Sequence, residues 1–110
     1  MDIDQKYDPA RSQITDSTLC DWLSGEIVDS LSSVPGIGQK SVQKLEEKNI
    51  FTTFQLLGVF LTLRAPLMDK QTHCNAVWHW LGEAGVDSHR ADVVTSLVEK
   101  IELWLPELYI

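Results

Sequence analysis

Two cysteines in 110 residues, Cys20 and Cys74, are too few and too far apart to staple a small fold. That excludes a disulfide scaffold and a cysteine-rich metal module, and it fits a reducing compartment. No apolar run reaches the ~18 residues of a membrane span. The polar, acidic start Met1-Asp2-Ile3-Asp4-Gln5-Lys6 does not read as a secretory signal. Cations are scarce too, with 9 Lys and Arg against 16 Asp and Glu and a net charge of −7. That balance counts against a broad phosphate-binding surface. Convincing strand alternation, internal repeats and low-complexity stretches are all lacking, so the class expected is all-α.

The charge is unevenly spread. Residues 1–30 hold 2 cations and 7 acids, whereas residues 31–110 hold 7 cations and 9 acids. The body is therefore near neutral and has room for a local basic patch. Residues 1–13 contain Pro9, lack periodicity and read as a flexible acidic arm. Residues 14–110 read as a single helical domain, a compact bundle of about five helices.

Thr15 or Asp16 caps a first helix carrying Leu19, Trp22 and Leu23, which Gly25 ends. A short helical piece over Glu26–Ser33 precedes a turn, and a further helix runs about Gln39–Asn49. Next come Thr53–Leu63, Asp69–Ala84 with Cys74, Val77, Leu81 and Ala84 as its stripe, and a last helix from Asp87 or Ser88 to about Leu103. Val93, Val94, Leu97, Val98, Ile101 and Trp104 form the apolar set of the last helix.

The sharpest local feature is Val34-Pro35-Gly36-Ile37-Gly38, with Leu31 before it and Val42 and Leu45 after it. Glycines at 36 and 38 permit a tight reversal that side chains would obstruct, and Ile37 is placed to plug the hairpin. The helix that follows at once leaves its first amides unpaired, an anion site assisted by the helix dipole. A helix-hairpin-helix at about 27–49 would set that site on a DNA phosphate, a contact without base information. Lys40, Lys44 and Lys48 line one face beside the turn, where mutual repulsion of a few tenths of a kcal/mol per pair would be relieved by an anion. A plain solvated face, trimmed by Glu46 and Glu47, is the alternative.

The turn, together with Lys44-Leu45-Glu46-Glu47, Leu56-Leu57-Gly58-Val59-Phe60-Leu61 and Trp80-Leu81, resembles the barrier-to-autointegration factor family over about residues 15–105. The resemblance implies a SAM-like helical bundle that forms a homodimer, binds double-stranded DNA without sequence preference and bridges DNA molecules. It implies a nuclear protein, with a cytoplasmic pool allowed, that acts in chromatin and nuclear-envelope organisation. LEM-domain proteins of the nuclear envelope and lamins would be its partners. The DNA contacts it implies fall on Gly36, Ile37, Gly38, Lys40, Ser41 and Lys44, with a second segment at Ser88, His89 and Arg90. A partner groove would involve Thr62 and Trp80. The acidic arm, a longer segment over 65–73 and the extension 105–110 depart from the family pattern.

A dimer also follows from the residues themselves. Asn49 through Leu63 contain no charge, and the helix there is apolar most of the way round. One small core rarely covers such a helix on all sides. Gly58 costs it about 1 kcal/mol against Ala but lets a second backbone approach. Phe54, Leu57, Gly58 and Leu61 are thus the expected two-fold interface.

No nucleophile–base pairing or paired-carboxylate arrangement suggests an enzyme, and no cofactor motif is present. His73, Cys74, His79 and Cys20 have poor spacing for zinc. An acidic, dimeric protein-interaction adaptor of the same fold, with weak or no DNA binding, is the competing expectation.

Overall fold

The computed structural model describes residues 6–109. Five α-helices pack into an all-helical bundle: α1 (Asp16–Ser24), α2 (Gln39–Glu46), α3 (Thr53–Thr62), α4 (Lys70–Glu83) and α5 (Arg90–Trp104). No strand occurs among the described residues. None of these helices is long and apolar enough to cross a membrane.

The helix starts follow side-chain capping. Thr15, Thr52 and Asp69 each accept the amide three residues on, at α1, α3 and α4. At α3 the Gln55 side chain returns a bond to the cap, completing a capping box. Such caps are worth about 1 kcal/mol each. Asn49, after α2, takes the left-handed conformation expected of a residue that ends a helix, with φ 64°.

Helix α5 is the spine. Val93, Val94, Leu97, Val98 and Ile101 are buried against α1 and α4, but Trp104 is half exposed rather than internal. A polar row on α5 is buried as well. Asp92, Ser96 and Lys100, four residues apart, share one side of the helix. Asp92 Oδ1 accepts the Gln13 amide at 2.6 Å and the Ser12 hydroxyl at 3.0 Å. The Ser96 carbonyl accepts Trp22 Nε1 at 2.8 Å. Lys100 Nζ donates to the carbonyls of Trp22, Leu23 and Gly25, where it caps the carboxyl end of α1. A helix end has carbonyls without intrahelical partners, and a buried ammonium satisfies both them and itself.

Two expectations from the sequence are corrected here. The segment Tyr7–Gln13 is packed, not a free arm: Tyr7 is buried, its hydroxyl lies 2.7 Å from Thr95 Oγ1, and its amide donates to Asn75. Residues 1–5 of the expected arm lie outside the described residues. The helix expected over Glu26–Ser33 shrinks to a single 3-10 turn, Leu31–Ser33. The carbonyls of Asp29 and Ser30 are instead drawn to Thr53, whose amide and hydroxyl bind them at 2.9 and 3.0 Å.

His73 ties α4 to α3 and to the carboxyl-terminal tail. Its ring is fully buried, 4.3 Å from that of Phe60. Nε2 donates to the Phe60 carbonyl at 2.6 Å, so Nδ1 is the unprotonated nitrogen and accepts the Tyr109 hydroxyl at 2.7 Å. Burial, with Arg64 nearby, pushes this imidazole below its ordinary pKa of 6.5, against the Phe60 bond that favours its charge. A depressed folded-state value means that protonation favours the unfolded chain. The neutral ring's contribution is complete above pH 6.5 and is lost as pH falls below it. Denaturant melts between pH 7.5 and 5 should therefore show a loss of stability that His73→Phe reduces; equal slopes in both proteins would refute the assignment.

Candidate nucleic-acid interface

The turn before α2 is built around Gly36. Its φ is +95°, and a Cβ there would sit 2.8 Å from Asp92 Cβ and 3.0 Å from Val93 Cγ2. Conformation and space both require glycine. Gly38 is different. Its φ of −96° is open to any residue and a Cβ would meet nothing within 4 Å. The steric need read for both glycines is thus real at Gly36 alone. Val34 and Ile37 are buried, and the Ile37 amide donates to the Val34 carbonyl at 3.0 Å.

Gly38 is the N-cap of α2 and gives no side-chain bond to the first-turn amides. Gln39 and Lys40 are exposed, so this end of the helix dipole faces solvent. Ser41 is buried, and with Ile37 it is removed from direct side-chain contact with a ligand. Lys40 makes no ion pair among the described residues. The stem of Lys44 lies across Gly85, with Cδ 3.0 Å from where a Cβ would stand, and its ammonium is 3.9 Å from Glu47. An exposed pair at that distance is weak and leaves the ammonium available.

Packing brings the two distant segments to one edge. The backbone of Gly36 abuts His89 and Asp92, so the turn before α2 and the start of α5 are neighbours. Ser88 and His89 are exposed there. His89 holds φ 59° as the N-cap of α5, and its Nδ1 is 3.4 Å from Asp92 Oδ2.

Arg90, expected to face DNA, is turned inward as a clamp. Its guanidinium lies 3.6 Å over the Trp78 ring, donates to the Trp78 carbonyl at 3.1 Å and fills the notch at Gly82. Burial lowers its pKa, against the pull of Asp87. Stacking of this kind is worth about 0.5–2 kcal/mol and holds α4 to the start of α5.

Two participants were not read from the sequence. Asp92 anchors Ser12 and Gln13 beside the turn, and Arg11 lines a cleft of about 280 Å³ with Gln13, His89, Arg90, Ala91 and Asp92. The i, i+3 spacing of His89 and Asp92 on a helix start was the available signal for the first. Nothing in the pattern signalled the docking of residues 7–13.

The expected dimer face on α3 divides. Phe54, Gly58 and Leu61 lie on the exposed side, Phe54 at 54 % and Leu61 at 37 %, and Phe51 adds another 54 % just before the helix. Leu57 is buried in the protein's own core with Leu56 and Phe60, so it leaves the proposed interface. Gly58 has open space where a Cβ would be. Thr62 is exposed and returns its hydroxyl to the Gly58 carbonyl at 2.8 Å, while Trp80 is half-buried against the core from α4. Among the described residues no hydrogen bond or ring contact links Thr62 to Trp80.

Among the described residues no group of three or more His, Cys, Asp or Glu is placed to hold a metal ion. No family model, curated protein or solved structure matches the chain.

The two glycines should separate in a urea melt. Gly36→Ala should lower stability by roughly 1–3 kcal/mol, the cost of a left-handed non-glycine residue before any clash. Gly38→Ser, which an N-cap accepts and which meets open space, should stay within about 0.5 kcal/mol. Equal losses at the two positions would show that the reversal does not hinge on Gly36.

Proposed function

We propose that the protein binds double-stranded DNA without sequence preference, as a homodimer that bridges duplexes. The observation that carries this reading is the uncapped, exposed start of α2 at Gly38–Lys40, where Lys40 makes no ion pair among the described residues. Backbone amides and a helix dipole can hold a phosphate oxygen and cannot read a base. The exposed start of α5, set against Gly36, adds a second contact on the same edge. A two-fold dimer through Phe54, Gly58 and Leu61 would carry two such edges, which is what bridging needs. A nuclear role in chromatin or envelope organisation, with LEM-domain proteins and lamins as partners, belongs to the family resemblance and is proposed on that ground alone.

A second reading has its own observation. Arg90 is committed to Trp78, Lys44 has Glu47 beside it, and the chain carries net charge −7. These favour a dimeric adaptor that has kept the fold and lost most of its affinity for DNA.

A gel shift with unrelated duplexes across a salt series separates the two. If about four to six phosphates are engaged, log affinity falls with log salt at a slope of about −4 to −5. Gly38→Glu should abolish the shift and leave helicity intact, since a side chain there meets open space. No shift by the native protein at low salt would favour the adaptor. Self-association is tested separately: in sedimentation Gly58→Glu should give monomers, and a persisting dimer would place the contact on another face.

A further inference from the structure

Where α5 begins, an imidazole and a carboxylate face each other beside the α2 turn. His89 Nδ1 lies 3.4 Å from Asp92 Oδ2, and the two side chains are 56 % and 10 % exposed. Asp92 Oδ1 is taken by the Gln13 amide and the Ser12 hydroxyl, so Oδ2 is the oxygen turned to the ring. Both residues touch the turn: a Cβ on Gly36 would stand 2.8 Å from Asp92 Cβ and 3.1 Å from the His89 carbonyl.

Imidazole is the side chain that changes charge between pH 5 and 8. Arg11, Arg90 and Asp92 line a cleft of about 280 Å³ with this one. Arg11 is itself 3.9 Å from Asp8, and Asp87 lines the next cleft with Arg90. The turn, residues 34–38, carries no charge, and Lys40 is the first cation after it. The arginines and the positive end of the α5 dipole oppose a proton on the ring, and Asp92 favours one. A phosphate docked at this edge joins the side of Asp92.

The donors change with the proton as well. A neutral ring that gives its one N–H to Asp92 from Nδ1 presents Nε2 as an acceptor, which a phosphate oxygen cannot use. The carboxylate beside Gly36 then repels the phosphate. A protonated ring donates from both nitrogens and offsets that carboxylate.

We infer that His89 is a proton-dependent phosphate contact, an inference that rests on reading this edge as a DNA interface. Protonation cancels the Asp92 charge beside the turn and gives the ring its second donor. DNA binding therefore takes up a proton and tightens as pH falls through the imidazole range.

The test follows the anisotropy of a rhodamine-labelled duplex of about 30 base pairs at pH 6, 7 and 8, with ionic strength held constant because salt screens these charges. Circular dichroism at each pH checks that the fold persists, since buried His73 also responds to acid. The native protein should bind about fivefold more tightly at pH 6 than at pH 8. Its slope of log affinity against log salt should be steeper by about 1 at pH 6. His89→Asn suits the left-handed backbone at this position and takes no proton. It should bind at every pH as the native protein does at pH 8. His79→Asn, which removes the imidazole of the neighbouring cleft, should keep the native response.

Equal native affinity across the range, a response that survives His89→Asn or vanishes with His79→Asn, or an unchanged salt slope would overturn the proton linkage and leave DNA binding standing. No binding by the native protein at any pH would overturn the DNA reading, and this contact with it.

Discussion

The structure depends on one constraint: α5 is buried on nearly every side, so each polar group it carries must find a partner inside the protein. Asp92, Ser96 and Lys100 meet that demand along one row: the Asp92 carboxylate holds Ser12 and Gln13, the Ser96 hydroxyl donates to the Asp92 carbonyl, and the Lys100 ammonium closes the end of α1. The backbone carbonyl of Ser96 also holds the indole of Trp22. An unpaired group at any of these positions would cost on the order of 1–3 kcal/mol, more for the charged ones. The row therefore fixes where α1 and residues 7–13 sit, not merely that they are attached.

The candidate interface is a consequence of the same spine. Gly36 can pass close to α5 because it lacks a side chain, and the contact it makes is with Asp92 and Val93. Moving α5 would move the turn. The start of α2 is thereby held at the surface, next to the start of α5, by residues that are themselves immobilised in the core. A phosphate contact made of backbone amides needs that rigidity, since amides have no side-chain freedom to seek the ligand.

Amides and a lysine with no ion pair among the described residues mark the α2 edge, exposed phenylalanine and leucine mark α3, and leucines beside Asp16 mark α1 with the end of α5. Negative charge also stands near the α2 turn, where Asp21 and Glu26 share a cleft with Ser33 and Pro35 and Asp92 abuts Gly36. Lys44, 3.9 Å from Glu47, also packs its stem on Gly85, and Arg90 is stacked on Trp78.

The sequence by itself determined the helical class, most helix starts and the buried stripes of α4 and α5, because capping chemistry and 3.6-residue periodicity are local properties. It also located the Gly36 bend. Tertiary structure alone decided the rest. The chain just before Leu31 leaves the helix where Thr53, distant in sequence, takes the carbonyls of Asp29 and Ser30. Leu57 faces inward and Phe54 outward, which an all-apolar stretch cannot reveal by pattern. Tyr7–Gln13 is docked and Arg90 is turned onto Trp78 because their partners lie 12 to 88 residues away. Contacts over such distances leave no period in the sequence; they are fixed only when the chain has closed around α5.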